Sequence, residues 1–386
     1  MKIIAIQIAN GYSPEARVLA TLLGARDDAY DGVVLHHTWP GDTTSTDRFE
    51  EEARMSLARL DMGWRPNPSA RRSFPAKVLS WARFQIALRD MVRRAAKFDP
   101  DIIVSCQQRW DCFAASAIAA KLGKPQIVHL HYTVGPWLGR SVLDRLHACD
   151  HVVAISDFIR QDALRHGVPP DRVTTVLSPV KPMPVQRAGT REEARAELNL
   201  PVDARVIGIA ARFDPYKGQR DSIAAFARLA ATDAQAYLVI VGSSLAAGGI
   251  PRSQLESEAA ATGVGHRILF TGQRSDVPRI LSALDIFVHP SRNEPFGLAI
   301  AEASAAGLPV VAYAEGAVPE IVADGQTGLL APPGDVDGLA TRLAMLINDP
   351  ARGRMMGAAG RQRIAEHFPP GDAARAFADV LAGVLA

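Results

Sequence analysis

Eleven short Val/Ile-rich runs, spaced by longer Ala/Leu/Arg-rich stretches of helical period, recur from one end of the chain to the other. They are "KIIAIQI", "GVVLHH", "DIIVS", "QIVHLH", "HVVAIS" and "RVTTVL", then "RVIGIAA", "AYLVIVG", "RILFTG", "DIFVHP" and "LPVVAY". A strand that is apolar on both faces needs cover on both, which is the condition of a parallel sheet with helices on each side. Both halves therefore read as α/β. At 386 residues the chain exceeds one typical core, and a prior of about 100 to 200 residues per domain implies two. The break is expected in residues 177–204, "LSPVKPMPVQRAGTREEARAELNLPVDA", where prolines cluster and the periodic pattern lapses.

A hydrophobic content of 48% with 22% charged residues describes a globular protein rather than a disordered one. A net charge of +2 leaves no nucleic-acid footprint. No apolar run reaches the length of a membrane span. "MKIIAIQIANGY" reads as an opening strand rather than a signal peptide, so the expected location is the cytoplasm. Cys106, Cys112 and Cys149 form neither an even disulfide set nor a metal-ligand spacing, and Cys106 reads as a small buried hydrophobe.

The charge is uneven. Between Arg54 and Lys97 there are eleven Lys and Arg against two acidic residues, interleaved with Trp64, Phe74, Trp81 and Phe84. Residues 54–97 read as a surface for the anionic inner face of a membrane, as a solvated helix face with its aromatics in the core, or as a contact for an anionic soluble acceptor.

Ligands of open α/β sheets bind beyond the carboxyl ends of the strands, and the chemistry-bearing residues lie on such loops. In "HPSRNEPFGLAIAEASAAGLPVV", residues 289–311, Glu294 and Glu302 stand eight positions apart in an apolar passage. Pro295 and Gly297 argue for a loop, followed by a helix that Gly307 ends, with Pro309 beyond. Glu294 would hang at the helix entrance and Glu302 lie about a turn inside, where unpaired N–H groups and the positive dipole end favour phosphate. In "GIAARFDPYKGQRDSIAAF", residues 208–226, Arg212 and Lys217 precede a helix start, as a diphosphate requires. Two such cations would neutralise a leaving group without a divalent ion. Of the two Asp-x-Asp pairs, Asp99 and Asp101 precede a strand, while Asp335 and Asp337 open a helix as a cap; no metal site is assigned. His36 and His37 point to opposite faces of a strand and cannot share a metal.

With these motifs, and with "TGQRSDVPRILSALDIFVHPSRNEPFGLAIAEASAAGLPVVA" and "GAVPEIVADGQTGLLAPPGD", the chain resembles the retaining glycosyltransferases of family four. The resemblance covers most of residues 204–345, and the spacing Glu294, seven residues, Glu302 is that family's signature. It implies the GT-B fold: two Rossmann-like α/β domains facing each other across a cleft. Residues 1–185 would bind the acceptor and 186–369 the nucleotide-sugar donor, with a C-terminal helix at about 370–386 crossing back to the first domain.

The resemblance also implies roles. Arg212 and Lys217 would hold the diphosphate of a UDP- or GDP-linked sugar, and Glu294 would contact the sugar. Phe296, Gly297 and Leu298 would offer backbone N–H groups, and Glu302 would bind the ribose. His131 in "IVHLHYT", with His129 in reserve, would meet the sugar from the first domain, while Gly11, Gln273 and Arg274 complete the donor contacts. The implied enzyme is a metal-independent transferase with no cofactor beyond its donor. It would place a sugar, with retention, on a glycan or lipid-linked acceptor in bacterial cell-surface polysaccharide or lipopolysaccharide synthesis. Alternative readings are a GT-B epimerase or phosphorylase, or a non-catalytic sugar-nucleotide-binding protein. Departures from the family pattern include Ala211 where many relatives have glycine, "VGSS" at residues 241–244, and the lone Gly11 in "ANGYSPEAR". Because breaking a sugar to diphosphate bond builds negative charge on the leaving oxygens, preorganised cations and helix N–H groups should carry much of the rate. No carboxylate is assigned beneath the anomeric carbon, where a double displacement needs one, so same-face attack is expected.

Overall fold

A computed structural model describes residues 1–7, 13–25, 30–37, 44–60, 74–106, 109–135, 138–182, 190–244 and 248–386. The chain divides into two compact units, Met1–Pro179 with Pro370–Ala386, and Val180–Pro369.

In the first unit the strands are β1 (Lys2–Gln7), β2 (Asp31–His37), β3 (Ser56–Leu60), β4 (Ile102–Cys106), β5 (Gln126–Leu130), β6 (His151–Ala154) and β7 (Val173–Thr175). They form one sheet in the order β3-β2-β1-β4-β5-β6-β7, with every pair parallel. Parallel neighbours need a crossover, supplied in turn by α1 (Pro14–Gly24), α2 (Thr44–Ala53), α3 (Phe74–Phe98), α4 (Arg109–Leu122), α5 (Arg140–Ala148) and α6 (Asp157–Arg165). Every residue of β4 and β5 is buried, as their unbroken apolar runs require. The strand β3 is not among the eleven runs, because "SLARL" carries only two large apolar residues inside a basic stretch. Of "RVTTVL", only Val173–Thr175 pairs as a strand.

The second unit repeats the plan. After α7 (Arg191–Glu197) come β8 (Arg205–Ala210), α8 (Gln219–Ala230), β9 (Ala236–Val241), α9 (Arg252–Ala261), β10 (Ile268–Gly272) and α10 (Val277–Ala283). They are followed by β11 (Ile286–His289), α11 (Leu298–Ala305), β12 (Val310–Tyr313), α12 (Val318–Ile321), β13 (Gly328–Ala331), α13 (Val336–Asn348) and α14 (Pro350–His367). The sheet order is β10-β9-β8-β11-β12-β13, again parallel. Ile286, Val288, Val311 and Tyr313 point into a core shared with α8, α9 and α13, while α11 packs on β11, β12 and α14. A Thr190–Glu193 capping box opens α7, and its buried Arg195 reaches Asp285 at 2.8 Å.

The last helix, α15 (Pro370–Leu385), belongs to the first unit. It packs on α1 and sets the Phe377 ring 6.0 Å from that of His129. Cys106, Cys112 and Cys149 are all buried, and burial pushes the Cys149 thiol up to about 12. No helix among the described residues is long and apolar enough to cross a membrane.

Candidate active site

Each sheet changes direction once: the chain builds outward from β8 to β10, then returns to place β11 on the other side of β8. At such a switch point neighbouring loops diverge and leave a crevice beyond the strand ends. Residues 211–218, after β8, and 290–297, after β11, stand there side by side. The Arg292 amide donates to the Tyr216 carbonyl at 2.8 Å. Close approach fixes the choice of glycine at Gly218, with φ +76°, where a Cβ would lie 2.2 Å from the Pro290 carbonyl oxygen.

Lys217 and Glu294, 77 positions apart, meet at this crossing. The Lys217 ammonium donates to both carboxylate oxygens of Glu294, at 3.0 and 2.8 Å. His289, the last residue of β11, is buried, and its Nε2 lies 3.2 Å from Glu294 Oε2. Rather than hanging free at the entrance of α11, Glu294 is 5% exposed and turned back onto these two partners. Burial opposes its ionisation, but the Lys217 charge and the His289 N–H outweigh burial and hold the carboxyl well below the usual range. Its backbone is also fixed, since the Ala317 amide donates to the Glu294 carbonyl at 2.9 Å. Gly316, at φ +65°, leaves no room for a Cβ, which would fall 2.4 Å from that carbonyl oxygen.

Arg212 differs from Lys217. Its side chain is exposed and has no partner among the described residues, while its carbonyl accepts from the buried Gln219 amide at 2.7 Å. Both helices that start at the switch point, α8 and α11, begin at left-handed glycines, Gly218 and Gly297, and neither has a side-chain cap. Their first-turn N–H groups are therefore open to an external acceptor. Phe296 is buried, Leu298 opens α11, and Glu302 is half-buried in its second turn. Gln273 and Arg274 follow β10. The Gln273 side chain accepts from the Ser243 hydroxyl at 3.4 Å, and Arg274 is engaged by Asp276 at 2.6 Å.

His131 lies in the other unit, just beyond β5. It is buried, with Nε2 3.1 Å from His129 Nδ1 and ring centroids 4.3 Å apart. Burial pushes His131 down to about 3, and burial together with the neighbouring ring holds His129 well below its ordinary value; both rings are neutral near pH 7. Gly11 lies outside the described residues, as do Trp64 and the side chains of His36, His37 and Phe74. The acidic pairs have structural work. Asp101 accepts from the Lys2 amide at 2.7 Å and Asp99 pairs with Lys124 at 3.0 Å. Asp335 caps α13 through the Gly338 amide, and Asp337 pairs with Arg228.

The site residue that the sequence reading passed over is His289. Its signal is a polar residue closing the otherwise apolar "IFVH" at a strand's carboxyl end, the position from which a side chain reaches the crevice.

Two family matches divide the chain between them: Glycosyltransferase Family 4 over residues 32–182, and Glycosyl transferases group 1 over residues 190–363. The chain belongs to this glycosyltransferase family. Alpha-maltose-1-phosphate synthase of Mycolicibacterium smegmatis is 34% identical to it over 264 residues, which cover 61% of this chain and 63% of that protein. D-inositol 3-phosphate glycosyltransferase of Mycobacterium tuberculosis is 34% identical over 218 residues, covering 55% of this chain and 44% of the relative. The chain thus spans under two thirds of the length of each of these curated relatives. Anabaena HepE, solved in complex with UDP-glucose, superposes with a TM-score of 0.82 at 21% identity, over 99% of this chain and 100% of that one. Sucrose-phosphate synthase from Thermosynechococcus elongatus gives 0.78 at 23%, over 100% and 99%. These likenesses establish the GT-B fold.

Proposed function

We propose that this glycosyltransferase moves a sugar from a nucleotide-diphosphate sugar to a hydroxyl of a glycan or lipid-linked acceptor, with the diphosphate held by Arg212, Lys217 and the open N-terminus of α11. The observation that carries the reading is the convergence, at the β8/β11 switch point, of the Lys217 ammonium, an Arg212 guanidinium without a partner among the described residues, and an uncapped helix mouth. Together they supply the charge-assisted donors that a departing diphosphate needs. The HepE complexes with UDP and UDP-glucose favour a UDP-linked donor over a GDP-linked one.

In this reading Arg212 and Lys217 take the part that a divalent ion plays elsewhere. Glu294 accepts hydrogen bonds from the sugar, and Glu302 from the ribose. A buried carboxylate held in a hydrogen bond by the His289 imidazole N–H is a weakened nucleophile. That favours retention through same-face attack, with the leaving phosphate taking the acceptor proton, over a covalent intermediate on Glu294. For His131 the proposed role is that of a neutral, hydrogen-bonding imidazole. The outward side of α3, where Val78, Leu79, Trp81 and Ile86 are exposed ahead of exposed Arg89, Arg93, Arg94 and Lys97, supports a surface for anionic lipid and hence a lipid-borne acceptor in cell-surface polysaccharide or lipopolysaccharide synthesis.

The test is a panel of UDP- and GDP-sugars offered with and without glycan and lipid-linked acceptors. The expected outcome is consumption of one donor that depends on an acceptor, with the product keeping the donor's anomeric configuration. Acceptor-independent conversion would point to an epimerase, and a product formed with inversion would remove the same-face mechanism.

A further inference from the structure

His289 has no part in the donor contacts proposed above, yet it is placed where those contacts most need support. Its ring is 2% exposed at the end of a strand buried along its whole length. It spans the five-residue step to Glu294 through the 3.2 Å contact from Nε2 to Oε2. An ionised carboxylate only accepts, so Nε2 carries the proton and donates. The opposite nitrogen, Nδ1, is buried and meets no partner among the described residues. Among the described residues the imidazole has one polar attachment, Glu294.

The second attachment of the carboxylate is Lys217, which the proposed function also assigns to the diphosphate. An ammonium drawn toward two phosphate groups cannot keep both of its short contacts with Glu294. The carboxylate would then be buried with one remaining side-chain donor. A buried carboxylate that loses its hydrogen bonds takes up a proton or changes rotamer, and either change removes it as an acceptor for sugar hydroxyls.

We propose that His289 is a positioning residue: its Nε2–H holds the Glu294 carboxylate oriented and charged while Lys217 serves the diphosphate, so that the sugar end of the donor is gripped independently of the phosphate end. This rests on the donor reading above. It assigns His289 no contact with the substrate, and it separates two affinities that a loss of structure would lower together.

The experiment is calorimetric titration of the full chain with UDP and UDP-glucose, and with GDP and GDP-mannose as a second pair, on wild type, His289→Leu and His289→Gln. Losing one hydrogen bond to a charged group should weaken the nucleotide sugar about tenfold and the bare nucleotide less than about twofold. His289→Gln, which keeps an N–H near the Nε2 position, should stay within about threefold of wild type for both ligands. His289→Asn, whose shorter amide does not reach Glu294, carries the same expectation as His289→Leu if the leucine variant does not fold. Equal weakening of nucleotide and nucleotide sugar, no weakening of either, or no rescue by glutamine overturns the assignment. A wild type that binds none of the four ligands contradicts the donor reading itself, and the role of His289 falls with it.

Discussion

Arg212 and Lys217 stand five residues apart on one loop, yet their surroundings give them different consequences when removed. Arg212 is exposed and its guanidinium meets no partner among the described residues, so Arg212→Ala should leave the melting temperature unchanged and lower kcat by roughly 10²-fold. Lys217 is the ion-pair partner of a buried carboxylate. Lys217→Ala should produce a similar loss of turnover and also cost about 1–3 kcal/mol of stability, because among the described residues Glu294 keeps only His289 as a side-chain donor. Steady-state kinetics beside thermal unfolding of both variants checks the contrast. Equal melting temperatures would show that the Lys217–Glu294 pair is not a structural contact in solution, and unchanged turnover would show the cation role to be misassigned. The residue types of this site were legible in the sequence because each sits on a loop after an apolar strand. Their pairing was not, since a contact across 77 positions depends on which strands become neighbours, and local pattern does not encode that.

At the scale of elements, α3 makes its own prediction. Its buried residues Phe84, Met91 and Ala95 anchor it in the first unit's core, and this divides the interleaved aromatics: Phe84 is 1% exposed and Trp81 47%. Four large apolar side chains exposed within nine residues, followed by four exposed cations, suit a surface that is greasy at depth and anionic at its rim. Sedimentation with vesicles rich in anionic lipid should carry the protein down at low salt and release it at high salt, and Trp81→Ser with Ile86→Ser should abolish the binding. Binding indifferent to both anionic lipid and salt would remove the membrane reading. The same element shows where sequence pattern falls short. The long apolar runs became β1, β4, β5, β8 and β9 because burial on both faces leaves an unmistakable trace. By contrast β3 is an edge strand of five residues of mixed character, and the chain's return through α15 to the first unit follows from packing on α1 rather than from any local signal.

For the whole molecule, acid should act on the two units in different windows. His129 and His131 have folded-state pKa values pushed below the ordinary 6.5, so the unfolded chain binds more protons, and stability falls as pH drops below about 6.5, by up to ~1.4 kcal/mol per pH unit for each histidine. Glu294 is shifted down from 4.5, so its contribution is fully present above that value and declines only below it. The first unit should therefore lose amide protection between pH 6.5 and 5 while the second keeps it, and the second should follow below about pH 4.5. Hydrogen exchange at pH 7, 5.5 and 4 reads both units in one sample. Loss that begins in the second unit, or a first unit equally protected at pH 7 and 5.5, would contradict the burial of the histidine pair.

The most direct measurement is a structure of the full chain with an intact UDP-sugar. The diphosphate is expected against the first-turn amides of α11, with Arg212 drawn onto it, Lys217 reaching from Glu294 to a phosphate oxygen, and the sugar hydroxyls on the Glu294 carboxylate. A donor lodged elsewhere, or one whose phosphates are held by a divalent ion while Lys217 stays on Glu294 and Arg212 in solvent, would contradict the account.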